Sequence, residues 1–244
     1  MSVKSGVQTL VLRHGGTEQR VCFAAVDAAP PQEFLSESEK EQHEGFKFAA
    51  KQAAFLLGRL AAKRALGALL AEPDLRRIEI RSGIYGQPLI HHPAAGAADV
   101  SVSHSHGLAV ALAFPATCPM GIDLETVAAV AAATIIGELQ ASAAERAWLA
   151  AAGVARATPG VDQATACCVL WTAREALGKT LKIGLNSPLG ILALTEIRAT
   201  AEGSWAGRYL NFPRCQCLSQ AAGGRVLSLA MPGDAQLSAR LSFN

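Results

Sequence analysis

Apolar and polar residues alternate from Val7 to Leu12, which predicts a strand, and the polar, acidic run Ser36 to Lys40 predicts the opening of a helix. Phe46 to Leu70 contains no proline, and Phe48, Phe55, Leu56, Leu60 and Leu66 fall on one broad side of a helix, so a long helix is expected there. Its basic residues Lys47, Lys51, Arg59, Lys63 and Arg64 recur at helical spacings, with Lys51, Arg59 and Lys63 facing one way. Three short strands follow, Arg77 to Ser82, Val100 to His104 and Leu108 to Phe114, with turns at Gly83 to Pro88 and His91 to Pro93.

Pro115 and Pro119 bracket a crossing segment, and Gly121 to Thr126 begins a second unit with the same ingredients. Ser142 and Glu145 have capping-box spacing, so a helix starts there, with Trp148 and Leu149 inside it. Small residues with two glycines and a proline make Ala150 to Ala164 a loop. Gln163 to Leu181 reads as a helix ended by Gly184 and blocked by Pro188. Leu189 to Arg198, Gly207 to Leu218 and Val226 to Met231 then alternate as three strands. The pattern predicts two α+β halves, residues 1–116 and 117–244, with no short tandem repeat.

With 50% hydrophobic and 17% charged residues, the 244-residue chain can bury a substantial core. A formal net charge of +2 gives no general affinity for nucleic acid. The longest apolar stretch, Val127 to Ile136, is far short of the roughly 20 residues that cross a bilayer. Val7 to Leu12 runs at once into Arg13 and His14 rather than forming a leader, so a cytoplasmic location is expected. The six cysteines show neither zinc-site spacing nor a secreted disulfide pattern; buried free thiols are expected.

Acidic residues inside hydrophobic stretches are costly unless a cation satisfies them. On a strand, Asp123 and Glu125 project together while Ile122 and Leu124 pack behind. Such a pair suits Mg²⁺ or Mn²⁺ shared with substrate phosphates, and equally suits a solvated strand face. Glu175 lies mid-helix among Leu170, Trp171 and Leu177, with Lys179 one turn on; the pair is either a plain helical ion pair or a metal ligand beside a phosphate contact. Arg174 adds positive charge beside them in the second case. Ser103 and His104 end a strand, where they either cap a turn or donate to phosphate oxygens; His104 with His106 could instead ligate a transition metal. A Ser-His-Asp hydrolase is disfavoured, since no Gly-x-Ser-x-Gly elbow occurs.

In order along the chain, Gly58-Arg59-Leu60-Ala61-Ala62-Lys63, Gly86-Gln87-Pro88, Ser101-Val102-Ser103-His104-Ser105, Gly121-Ile122-Asp123-Leu124-Glu125 and Trp171-Thr172-Ala173-Arg174-Glu175-x-x-x-Lys179 resemble the motif series of the Sfp-type 4′-phosphopantetheinyl transferases. The resemblance implies two similar α+β half-domains related by pseudo-two-fold symmetry, with the active site in the cleft between them, in a chain that suffices as a monomer. It implies transfer of the phosphopantetheine arm of coenzyme A to a serine of an apo acyl or peptidyl carrier protein, with release of adenosine 3′,5′-bisphosphate. Asp123, Glu125 and Glu175 match the family's metal positions, for Mg²⁺ or Mn²⁺ at the pyrophosphate. Lys179 matches the lysine that approaches the pyrophosphate, Ser103 and His104 match coenzyme A phosphate contacts, and Lys63 matches a basic residue near the nucleotide.

Glu175, ionised by a metal contact, is placed to take the serine proton, directly or through water. Two positions depart from the family's pattern. Arg174 stands where lysine is usual, and an arginine does not readily give up a proton. Gln87 replaces the lysine of the Gly-Lys-Pro turn, which implies weaker coenzyme A binding unless Lys47 or Lys51 compensates. The competing readings are a degenerate protein that binds coenzyme A or a carrier without transfer, and a divalent-metal phosphohydrolase of another fold.

Overall fold

The computed structural model describes residues 6–28, 31–129, 140–152, 161–184, 186–201 and 203–243. Most of the loop expected between Ala150 and Ala164 lies outside them. The chain divides into two compact units, Met1–Pro119 with Ala235–Asn244, and Met120–Asp234. The last ten residues thus belong with the first unit, where the short strand β12 (Gln236–Leu237) pairs with β1 (Val7–His14), although the sequence reading placed them in the second half. Together the units make an α+β protein with two five-stranded antiparallel sheets flanked by helices.

The first unit opens with the hairpin β1 (Val7–His14) and β2 (Thr17–Val26), turned by Gly15 and Gly16, both at positive φ. β2 was missed in the sequence because its second half, Val21 to Val26, is a continuous apolar run buried on both faces rather than an alternating one. Helix α1 (Glu37–Glu44) is short and starts on a complete capping box, Ser36 with Glu39. Helix α2 (Ala49–Leu70) starts three residues later than expected, and Phe48, at its N-cap, is 66% exposed rather than part of the apolar side.

Next come β3 (Glu79–Ser82) and β4 (Pro88–His91), a separate hairpin, then β5 (Ala98–Ser105) and β6 (Leu108–Pro115). β4 was also not expected; its end residues Pro88 and His91 fall in segments read as turns. The main sheet has the order β12-β1-β2-β6-β5. Leu57, Leu60, Ala61, Ala65 and Leu66 of α2 pack with Ala24, Val26, Val100, Ala109, Ala111 and Ala113 of the sheet. Alanine on both sides permits a close helix approach.

In the second unit, β7 (Gly121–Thr126) precedes α3 (Ala143–Ala151) and α4 (Gln163–Thr180). The strands β8 (Leu194–Ala201), β9 (Ser204–Tyr209), β10 (Cys215–Ala222) and β11 (Arg225–Pro232) complete a sheet of order β7-β11-β10-β9-β8. The single strand expected over Gly207 to Leu218 is two strands, because the chain turns at Phe212, whose carbonyl accepts from the Cys215 amide at 2.8 Å across Pro213. Residues Leu189–Leu192 form a 3-10 turn ahead of β8. All six cysteines are free and five are buried, as expected. No described helix is long and apolar enough to cross a membrane.

Candidate active site

Four of the residues singled out in the sequence, Asp123, Glu125, Glu175 and Lys179, lie within the second unit. β7 carries the first two, and α4 carries the others. What brings the elements together is Gly121: a Cβ there would lie 2.2 Å from the Ala176 carbonyl oxygen and 2.6 Å from the Thr180 amide nitrogen. Only glycine lets the strand lie this close to the helix backbone. Gly121, Asp123 and Glu125 share a face of the strand, so that face meets α4, while Ile122 and Leu124 are wholly buried on the other.

Lys179 Nζ donates to Asp123 Oδ1 at 2.6 Å; the lysine side chain is 25% exposed and the aspartate 3%. Burial, the charge of Asp123 and that of Glu125 push the Glu175 carboxyl up to about 7 from the ordinary 4.5, against the opposing pull of Lys179 and a hydrogen bond from Trp171. Three carboxylates therefore share one partly buried region with one ammonium. Cys168, two helical turns before Glu175, has its thiol pushed far up by burial, then by Glu125 and Asp123. Its helical spacing from Thr172, Glu175 and Lys179 is the signal that would have placed it here.

Beneath the acidic residues runs a row of buried hydroxyls. Thr172 Oγ1 donates to the Cys168 carbonyl at 2.8 Å and lies 2.7 Å from Ser228 Oγ, which lies 2.7 Å from Ser219 Oγ. Ser228 is the cross-strand partner of Asp123. The row ties α4 to β11 and β10.

As donors, the carboxylates fit a hard divalent cation, and their mutual repulsion is the kind a cation relieves. Among the described residues, however, no three His, Cys, Asp or Glu side chains are gathered closely enough to hold a metal ion. The cation now against Asp123 is Lys179.

Arg174 does not join this group. It is wholly buried, and its Nε and Nη2 donate to Glu145 at 3.1 and 2.5 Å while Nη1 donates to the Leu189 carbonyl at 2.9 Å. Its charge is spent on Glu145, which corrects the expectation that it adds positive charge beside Glu175.

The remaining expected residues lie in the first unit. Lys63 is wholly buried, its ammonium paired with Glu39 and donating to the Phe34 carbonyl at 3.0 Å. It presents no charge to an outside nucleotide in this arrangement. Ser103 is buried and its neighbour His104 exposed, on opposite faces of β5, so of these two only the histidine is open to solvent. Lys51 is exposed on α2. Gln87 folds back over its own turn, with Oε1 accepting from the Tyr85 amide at 2.9 Å and its amide filling the space a Cβ on Gly83 would need.

Residues 119–230, which include all four second-unit residues and make up a little under half of the chain, match the family described as the 4′-phosphopantetheinyl transferase superfamily. Among solved structures, a holo-(acyl-carrier-protein) synthase from Bacillus anthracis str. Ames, in complex with CoA (3′,5′-ADP), is similar at 21% identity. The likeness covers 44% of this chain and 97% of that one, and its TM-score of 0.34 carries no conclusion about this chain. No curated protein matches the chain.

Proposed function

We propose that the protein transfers the 4′-phosphopantetheine arm of coenzyme A to a serine of an apo acyl or peptidyl carrier protein. The observation that carries this reading is the meeting of Asp123, Glu125, Glu175 and Lys179 on β7 and α4, in the part of the chain that matches the superfamily. A phosphohydrolase of another fold loses its footing to the same match.

Asp123, Glu125 and Glu175 would hold Mg²⁺ or Mn²⁺ once their side chains draw together from the places they now occupy, and the ion when bound neutralises charge on the pyrophosphate. Lys179, on the same face, neutralises further phosphate charge. The serine oxygen forms a bond to the phosphorus that bears the pantetheine, and the bond from that phosphorus to the bridging oxygen breaks. The electron pair leaves with adenosine 3′,5′-bisphosphate, and the serine proton passes to Glu175. Without a metal, burial and the neighbouring carboxylates hold the Glu175 carboxyl up at about 7; a cation among them would lower it and leave an ionised carboxylate to accept the proton. Positioning and charge neutralisation supply most of the rate in such a reaction. His104 and Lys51, the exposed members of the expected set in the first unit, are proposed as phosphate contacts.

The test is to incubate the protein with coenzyme A, Mg²⁺ and a panel of apo acyl and peptidyl carriers, and to weigh the carriers. A gain equal to one phosphopantetheine arm is expected. No gain on any carrier, with coenzyme A bound, would replace the transferase by the binding protein.

A further inference from the structure

Among the described residues Arg174 is the bulkiest side chain that is wholly buried, and it directly precedes Glu175. Consecutive helical residues point about 100° apart, so the arginine faces away from the acidic residues while sharing their helix. Its partner Glu145 satisfies four donors. Besides the two arginine nitrogens, Glu145 accepts from the Ser142 amide at 2.7 Å and the Leu194 amide at 2.9 Å. With the bond from Arg174 to Leu189, one ion pair joins α4 to the start of α3, to the 3-10 turn and to the first residue of β8.

The first unit repeats the arrangement. Glu39, at the same capping-box position of α1, accepts from the Ser36 amide at 3.0 Å and from the Ile80 amide at 3.1 Å, on β3, and pairs with Lys63 of α2. Lys63, like Arg174, also donates to a main-chain carbonyl. An ammonium, with the Arg59 guanidinium 3.5 Å from the same carboxylate, therefore does in one unit what the Arg174 guanidinium does in the other. A buried ion pair adds little net stability compared with apolar packing, but its bonds are directional and fix the rotation of a helix.

We propose that Arg174 and Glu145 are positioning residues: they set the rotation and height of α4, and so the places of Glu175 and Lys179, and Arg174 takes no part in proton transfer. This rests on the transferase reading. The repeat leads us to expect that lysine can replace arginine here, since Lys63 likewise pairs with a capping-box glutamate and donates to a main-chain carbonyl.

The test compares Arg174→Lys, Arg174→Met and the doubly uncharged Glu145→Gln/Arg174→Met, each assayed well below its melting temperature. The readouts are turnover on an apo carrier protein and calorimetric coenzyme A affinity in Mg²⁺. Arg174→Lys should keep turnover within about threefold of wild type, while the double variant, folded and without a stranded charge, should lose about thirtyfold or more, the scale of a misplaced group. Arg174→Met alone strands the Glu145 charge and should melt lowest. Wild-type turnover and affinity in the folded double variant would overturn the proposal, as would a lysine variant many times faster than wild type, which would make the position a proton relay. A wild type that binds coenzyme A without transfer sinks the transferase reading instead, and leaves the affinities of the variants to decide the positioning role.

Discussion

The hairpins β5–β6 and β10–β11 have the same register, each ending with a proline opposite the first residue of its partner, Pro115 with Ala98 and Pro232 with Cys215. Counted from those prolines, Ala111 corresponds to Ser228, and their partners on the next strand are Ala24 in the first unit and Asp123 in the second. Glu125 corresponds in the same way to Val26. On the long helices, Lys63 and Arg174 are equivalent, and four residues beyond each lies a glycine, Gly67 or Gly178, pressed against the returning chain. That makes Arg64 and Ala68 the counterparts of Glu175 and Lys179. One plan thus carries a seam of Ala24, Val26 and Ala68 beside a half-buried Arg64 in the first unit, and an acidic seam in the second. The first packs for stability, and the second holds a carboxyl at about 7 that its own fold disfavours.

Removing the acids should have the largest effect. Asp123→Ala and Glu175→Ala should each lower transfer by about a thousandfold while circular dichroism stays native, since both act on charge rather than packing. Turnover like wild type in either would break the distinction between the units. The converse change, Ala24→Asp combined with Arg64→Met, places a carboxylate in the equivalent seam, where neither helix position then offers a cation. It should cost about 3–5 kcal/mol in urea unfolding. A variant as stable as wild type would show that the first seam is not closed to charge.

Glu175→Gln sharpens the comparison through pH. The folded carboxyl ionises near 7 but the unfolded one near 4.5, so the folded state binds the extra proton between these values and wild-type stability falls as pH rises through them. The cost is absent below about pH 4.5 and complete above about pH 7, where it amounts to about 3 kcal/mol at most. In the absence of divalent metal, Glu175→Gln should therefore melt above wild type at pH 8 and with it at pH 4. Equal melting at pH 8 would contradict the buried acidic cluster. The smallest effect is expected from Gln87→Lys, which adds an exposed charge worth about 1 kcal/mol or less and should lower the Michaelis constant for coenzyme A a few-fold. An unchanged constant would show that the turn at Gly86 does not approach the ligand.

Much of this was legible in the sequence because the signals are local. The polar, acidic helix opening at Ser36, the capping box at Ser142, the uninterrupted helix before Leu70 and the alternation of Asp123 and Glu125 are each local signals. The hidden parts depend on distant partners. β2 lost its alternation because both its faces are covered, and no spacing shows that Lys63 and Arg174 are spent on Glu39 and Glu145. The repeat itself was legible only as a coarse likeness, because its matching residues differ in type, lysine for arginine and alanine for aspartate.

The acidic seam of the second unit is proposed to bind one divalent ion, and the first unit none. Counting bound Mn²⁺ by electron paramagnetic resonance in the presence of coenzyme A tests it most directly. One ion per chain is expected for wild type, and none for Asp123→Ala/Glu125→Ala. An unchanged count in that double variant would place the metal elsewhere and contradict the account.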